Sequence, residues 1–122
     1  MPNYLISRII SFSGAPYDGY AFPVILESLA SCGVTHVEPA FIVGYTGAFD
    51  ESAFAPAQAR QYMAWLSASG LGCHAFSSHI DLGREDAVEV FKGRMDFAAA
   101  LGAKVINTNA AARRNAERFF RN

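Results

Sequence analysis

Charge is scarce in this sequence. Acidic and basic residues make up 17% of the 122 residues and leave a net charge of −1. A nucleic-acid-binding domain carries a basic patch or stripe, and this chain has one basic cluster, near its end, whose composition fits the solvated face of a helix. That cluster comprises Arg113, Arg114, Arg118 and Arg121. We therefore expect no nucleic-acid partner.

Cysteines and long apolar runs are also few. Cys32 and Cys73 are the only cysteines and lack a metal or redox spacing, so we predict reduced, packed thiols in a cytosolic protein. No apolar run reaches the roughly 18 residues of a membrane-spanning helix, and the N-terminus lacks the basic flank and apolar segment of a secretory signal. We expect a cytoplasmic protein with no membrane partner.

The sequence contains a repeat with three visible copies. Each copy is a helix-like segment that runs into small residues, a glycine and a short apolar run, as in "LASCGVTHVE" (29–38), "LSASGLGCHA" (66–75) and "AAALGAKVIN" (98–107). A glycine just past a helix supplies a left-handed residue at little steric cost, and the runs that follow have strand length. The predicted strands are 4–12, 34–42, 71–77 and 103–108.

Apolar residues at helical spacing precede each repeated glycine. Pro23 and Pro56 fit the first turns of two helices, and the acids at 85–86 fit the start of a third. A fourth helix is predicted to begin within 109–122. The three predicted buried stripes are Phe22, Ile25, Leu26 and Leu29; Ala59, Tyr62, Met63 and Leu66; and Val88, Phe91, Met95 and Ala98.

Strands that alternate with helices predict an α/β fold with parallel strands and right-handed crossovers. The strand runs are apolar on both faces, as buried parallel strands require. A doubly wound open sheet and a (β/α) barrel both fit this order. The glycine fingerprint of dinucleotide-binding folds is absent after the first strand, and so is a P-loop.

The stretches "GVTHVEPAF", "LSASGLGCHAFSSHIDLG" and "AAALGAKVINTNA" together resemble the sugar phosphate isomerase/epimerase family of xylose-isomerase-like TIM barrels. The resemblance spans nearly the whole chain. It implies that residues 1–122 form the N-terminal (β/α)4 half of a barrel that typically needs about 250 residues. We therefore expect a truncated or incompletely covered barrel. A natural half-barrel that forms a homo-oligomer through its open edges is the alternative.

Working residues of TIM barrels lie at the C-terminal ends of the strands, and that rule selects candidates here. Glu38 and Asn107 stand at the same offset from Gly33 and Gly102, which predicts side chains at similar heights. His79, two residues after Ser77, is the third. The substrate-binding candidates, completed by two aromatic loop residues that could stack on a sugar, are Glu38, His79, Asn107, Tyr17 and Tyr45.

The histidines leave alternatives open. The sugar phosphate isomerase/epimerase family is distantly similar to the endonuclease IV-type DNA repair enzymes. His79 matches a metal-binding position of those enzymes, so it is a weak candidate metal ligand, and it could instead be held by Asp81. His36 and His74 are predicted as mid-strand residues that face the core or the helices.

The resemblance implies a sugar, sugar phosphate or polyol isomerase or epimerase that moves a proton between adjacent carbons through an enediolate. It implies a divalent metal (Mn, Mg, Co or Zn) on a Glu, Asp, His and Glu set from strands five to eight, so we assign no catalytic residue to this half and expect it to be inactive alone. An endonuclease IV-like metal phosphodiesterase is one alternative, weakened because Asn107 and Asn109 replace a β4 histidine. A non-enzymatic half-barrel interaction domain is the other.

Overall fold

The structure is a computed structural model that describes residues 8–43 and 50–122. Within these ranges no helix has the length and apolar character needed to cross a membrane. Short 3-10 turns at 15–17, 51–54 and 113–115 complete the fold. The strands and helices are β1 (Ser11–Ser13), α1 (Phe22–Ser31), β2 (His36–Glu38), α2 (Pro56–Ser69), β3 (Ala75–Ser77), α3 (Ala87–Ala100), β4 (Val105–Asn107) and α4 (Ala116–Phe119).

The predicted alternation of strands and helices is confirmed, and the strands pair in parallel. β1 pairs with β2, where Ser13 lies opposite Glu38, and β3 pairs with β4, where Ser77 lies opposite Asn107. Two isolated parallel bridges, His36 with Gly72 and Ala40 with Ser77, link the two strand pairs. The chain is therefore a mixed α/β structure in which β1, β2, β3 and β4 follow one another in space.

The regular strands are shorter than the apolar runs predicted. Each of the four has three residues. The predicted first strand, 4–12, lies partly outside the described residues, and regular pairing begins at Ser11 among the residues from 8 onward. The fourth helix is a single turn, four residues long. The regular strands lie at the centre of the second and fourth runs and at the end of the first and third.

The three repeated glycines end their helices in the same way. Gly33, Gly70 and Gly102 have φ angles of 77°, 72° and 91°. After α1, the N–H of Val34 donates to the Leu29 carbonyl (3.2 Å) and that of Gly33 to the Ala30 carbonyl (3.0 Å). The same pair of bonds recurs after α2 and α3. This is the Schellman motif, so the predicted role of these glycines is confirmed.

The core lies between the strands and the helices. Val37 of β2 and Phe76 of β3 are fully buried there, and aromatic rings from both layers pack edge to face, a favourable geometry. The rings of Phe41 and Phe76, for example, have centroids 5.4 Å apart at 69°. All four residues of the first predicted stripe are buried. The ring cluster comprises Phe22, Phe41, Phe54, Tyr62, Trp65, Phe76 and Phe97.

The other two stripes were partly wrong. In the second, Ala59 and Leu66 are buried and Tyr62 is half-buried, but Met63 is exposed. In the third, Val88 and Met95 are exposed. The helix is rotated from the prediction because its buried face includes an arginine, which periodicity counts as polar. That face consists of Ala87, Arg94, Phe97 and Ala98.

The strands have one apolar and one mainly polar face, so the prediction of two apolar faces was wrong. Side chains alternate along a strand, and Val37, Phe76 and Ile106 lie on the helix side; Phe76 and Ile106 are register partners. Glu38, Ser77 and Asn107 therefore lie on the opposite face, which we call the open face. Cys73 is buried as predicted, but Cys32 is exposed.

A pair of glycine substitutions tests the helix ends. Gly70→Ala should lower the free energy of unfolding by about 1 kcal/mol, because a Cβ is strained at positive φ. Gly93 lies inside α3, and a Cβ there would meet no atom within 4 Å. Gly93→Ala should therefore raise the free energy of unfolding by about 0.5–1 kcal/mol. Urea unfolding followed by circular dichroism measures both. Equal effects of the two variants would contradict this account.

Candidate functional site

The open face carries a hydrogen-bonded polar cluster, which we call the Glu38 cluster: Glu38, Ser77 and Asn107. The Ser77 hydroxyl donates to Glu38 Oε1 at 2.5 Å, and the Asn107 amide Nδ2 donates to the same oxygen at 2.6 Å. Glu38 and Ser77 are half-buried and Asn107 is exposed. Each residue is the last of its strand, so three parallel strands present their final side chains to one point.

Backbone pairing sets this geometry. Ser77 lies opposite Asn107 in the β3–β4 pair. On the other side, the Ser77 N–H donates to the Pro39 carbonyl (2.9 Å), and the Phe41 N–H donates to the Ser77 carbonyl (3.0 Å). The backbone of Ser77 is thus paired with β4 on one side and with the residues that follow Glu38 on the other. This pairing places its hydroxyl within hydrogen-bond distance of the Glu38 carboxylate.

One extra residue in the third strand segment sets which side Ser77 occupies. Residues 36 and 40 pair with residues 72 and 77, so the β3 side holds one residue more than the β2 side. Such a bulge shifts the alternation of side chains. It allows Cys73 and Phe76, three residues apart, both to be buried, and it leaves Ser77 beside Glu38.

The chemistry available at the cluster is hydrogen-bond acceptance by a carboxylate. Both described donors bind Oε1, and Oε2 of Glu38 receives no hydrogen bond from any residue in the described ranges. An ionised carboxylate accepts about twice as strongly as a neutral group.

Burial raises the pKa of Cys73 to about 12, with a contribution from the Glu38 charge, so that thiol stays protonated and unreactive at neutral pH.

His79 follows the cluster on the chain. It is half-buried, and its carbonyl oxygen accepts a hydrogen bond from Arg94 Nη1 at 3.1 Å. No described hydrogen bond involves its imidazole. Its backbone is therefore anchored from the helix side, while its ring has no fixed partner among the residues placed by the structure.

Asp81 does not hold His79 through any described hydrogen bond. Its carboxylate accepts from the N–H of Gly83 (2.9 Å), the N–H of Ala112 (3.0 Å) and the Asn115 amide (2.7 Å). A Cβ on Gly83 would lie 2.5 Å from the Asn115 carbonyl oxygen, so the two segments touch closely. Asp81 therefore joins the segment after β3 to the segment after β4.

The remaining candidates make no described hydrogen bond with the Glu38 cluster or fall outside the described residues. The hydroxyl of Tyr17 hydrogen bonds with Ser28 of α1 at 3.0 Å, and its ring packs against the core. Tyr45 falls in 44–49, outside the described ranges. His36, predicted to face the core or the helices, lies on the open face, where its ring covers Gly72. His74 is half-buried.

The described residues do not fit a divalent metal. Nowhere in 8–43 and 50–122 do three or more His, Cys, Asp or Glu side chains converge as a ligand set. Glu38 is a single carboxylate whose described partners are a neutral hydroxyl and a neutral amide, whereas Mg²⁺, Mn²⁺ and Zn²⁺ sites use several charged or imidazole ligands.

Sequence reasoning missed three residues of this region. Ser77 follows Gly70 by seven residues, whereas Glu38 and Asn107 follow their glycines by five. A comparison of residues at equal offsets from the glycines therefore does not select Ser77. Arg94 and Glu51 form an ion pair across 43 residues of sequence. The only signal for that pair in the sequence was an arginine at helical spacing from Phe91 and Ala98 of the predicted stripe.

Comparison of the chain with protein-family models, curated proteins and solved structures found no match.

Acid unfolding tests the role of Asp81. The Asn115 hydrogen bond, with those from Ala112 and Gly83, holds the pKa of Asp81 below its ordinary value of 3.8. A carboxyl with a lowered folded-state pKa stabilises the fold above its unfolded pKa, and this contribution is lost as pH falls through the folded pKa. Between about pH 6 and about pH 2.5 the wild type should therefore lose more free energy of unfolding than Asp81→Asn.

Urea titrations at each pH measure this difference. Asp18→Asn is the matched control, because Asp18 is exposed and its side chain makes no described hydrogen bond; its acid loss should equal that of the wild type. Equal losses for the wild type and Asp81→Asn would contradict the role assigned to Asp81.

Proposed function

We propose that the Glu38 cluster binds the hydroxyl groups of a sugar, sugar phosphate or related polyol. The observation that carries the proposal is the shared Oε1 of Glu38, which Ser77 and Asn107 orient while Oε2 has no described donor. Sugar hydroxyls are donors that suit a free carboxylate oxygen. Small-molecule sites use a few positioned polar groups of this kind.

The proposed architecture is four (β/α) units of a TIM barrel like those of sugar phosphate isomerases and epimerases. Three features support it: the parallel order of the strands, the helix-covered apolar face, and the polar cluster at the carboxyl ends of β2, β3 and β4. Barrel enzymes bind substrate at that end. The proposed location is the cytoplasm, in keeping with two free cysteines.

The proposed reaction is isomerisation or epimerisation, in which a proton leaves one sugar carbon and returns at its neighbour through an enediolate. These four units bind and orient the substrate, and the catalytic carboxylates come from residues outside them. The divalent metal that the resemblance implies has no ligand set among the described residues. The proposal therefore places the ligands of that metal outside the described residues.

Sugar titrations test the binding role of Glu38. The 122-residue chain should bind at least one of D-fructose, D-xylulose and D-ribulose 5-phosphate, as measured by saturation-transfer NMR and calorimetry. Glu38→Gln should weaken that binding by about tenfold, because a charged acceptor becomes a neutral one. Glu27→Gln is the matched control, since Glu27 is exposed on α1. Absence of saturable binding by the wild type would reject the proposal.

Turnover tests the division of labour. The purified chain alone should not catalyse incorporation of solvent deuterium at the carbons adjacent to the sugar carbonyl, because it lacks the groups that transfer the proton. Proton NMR of each sugar incubated in D₂O measures this exchange. Exchange that depends on Glu38, absent from the Glu38→Gln variant, would show that these units hold the catalytic base.

A further inference from the structure

Arg94 is a buried charge that sugar binding does not use directly. It lies in the middle of α3 with 1% of its surface exposed. Its guanidinium donates to the Glu51 carboxylate through both Nε and Nη2, and it lies 5.0 Å from the centroid of the Phe54 ring. The arginine thus ties α3 to the 3-10 turn that precedes α2.

The remaining donor nitrogen of Arg94 points to the end of β3. Nη1 donates to the Ser78 hydroxyl at 3.2 Å and to the His79 carbonyl at 3.1 Å. Ser78 is fully buried, and its N–H donates to the Asn107 carbonyl at 3.0 Å. One guanidinium therefore holds the two residues that follow Ser77, and one of these is bonded to the backbone of Asn107.

We infer that Arg94 is a positioning residue for the Glu38 cluster, acting from the helix side of the strands. Ser77 and Asn107 are the two donors to Glu38. Arg94 holds the backbone directly after Ser77 and, through Ser78, the backbone of Asn107. This inference rests on the proposed sugar-binding function. Its structural part, the coupling of Arg94 to Ser77 and Asn107, can be measured without a sugar.

The planar guanidinium suits this task. It presents two parallel N–H donors to one carboxylate and further donors to a hydroxyl and a carbonyl, a fork that an ammonium group does not reproduce. Glu51 supplies the opposite charge, and its side chain is 39% exposed. Glu51 can therefore be altered with little disturbance of packing.

Arg94→Met and Glu51→Gln test the inference in the full chain. Methionine fills a similar volume without donors, and Glu51, the partner that the substitution leaves unpaired, is 39% exposed, so its charge is not left buried. The Asn107 side-chain amide and the Ser77 backbone amide should change their NMR chemical shifts in both variants. Sugar affinity should fall about tenfold in Arg94→Met, the loss expected when an oriented charged acceptor is misplaced.

Arg60→Met is the matched control, because Arg60 is exposed on α2 and has no hydrogen bond or ion pair among the described residues. It should leave both amide signals and sugar affinity unchanged. Cooperative melting of Arg94→Met with unchanged Ser77 and Asn107 signals would overturn the inference and leave Arg94 a purely structural residue.

Two further outcomes are decisive. If Arg94→Met does not fold, Glu51→Gln carries the test through the same two amide signals, and unchanged signals overturn the inference. If the wild type binds no sugar, the proposed function fails, while shifted amide signals in the variants still support the coupling through Arg94.

Discussion

Four backbone hydrogen bonds between the β2 and β3 segments join two strand pairs that would otherwise be separate. Val37 and Gly72 donate at one end, and Ser77 and Phe41 donate at the other, at 2.9–3.0 Å. Glu38 lies between these two ends, and its carboxylate reaches across to β3 and β4. The Glu38 cluster can exist only when this junction is formed, because its members come from three strands separated by up to 69 residues.

The helix layer supports the junction with a charge rather than with apolar packing alone. Removing a guanidinium from water costs several kcal/mol, and a well-packed hydrophobic residue is often equally stable in such a place. Arg94 offsets this cost with the Glu51 carboxylate, the Ser78 hydroxyl and the His79 carbonyl. Hydrogen bonds are directional and apolar contacts are not. These bonds therefore fix the orientation of the backbone that follows Ser77.

The parts of the fold that local patterns encode could be predicted. The glycines ended three helices at the expected residues because left-handed backbone is a local requirement that a Cβ opposes. The buried face of α1 could be predicted from the sequence because all four residues of its stripe are apolar. The third helix carries a second, exposed apolar stripe through Val88 and Met95. Periodicity could not choose between the stripes, since the buried face includes Arg94, whose partner Glu51 is 43 residues away in the sequence.

The candidate site was predictable to the extent that its strands are regular. Glu38 and Asn107 share an offset from their glycines, and the structure joins them by a hydrogen bond of 2.6 Å. Ser77 broke the rule because the third segment is longer and bulged against β2. An extra residue changes the face on which every later side chain lies. Without it, Ser77 would turn to the helix side and Phe76 to the open face. The bulge therefore completes both the aromatic core and the polar cluster, and neither could keep its composition if the strand were regular.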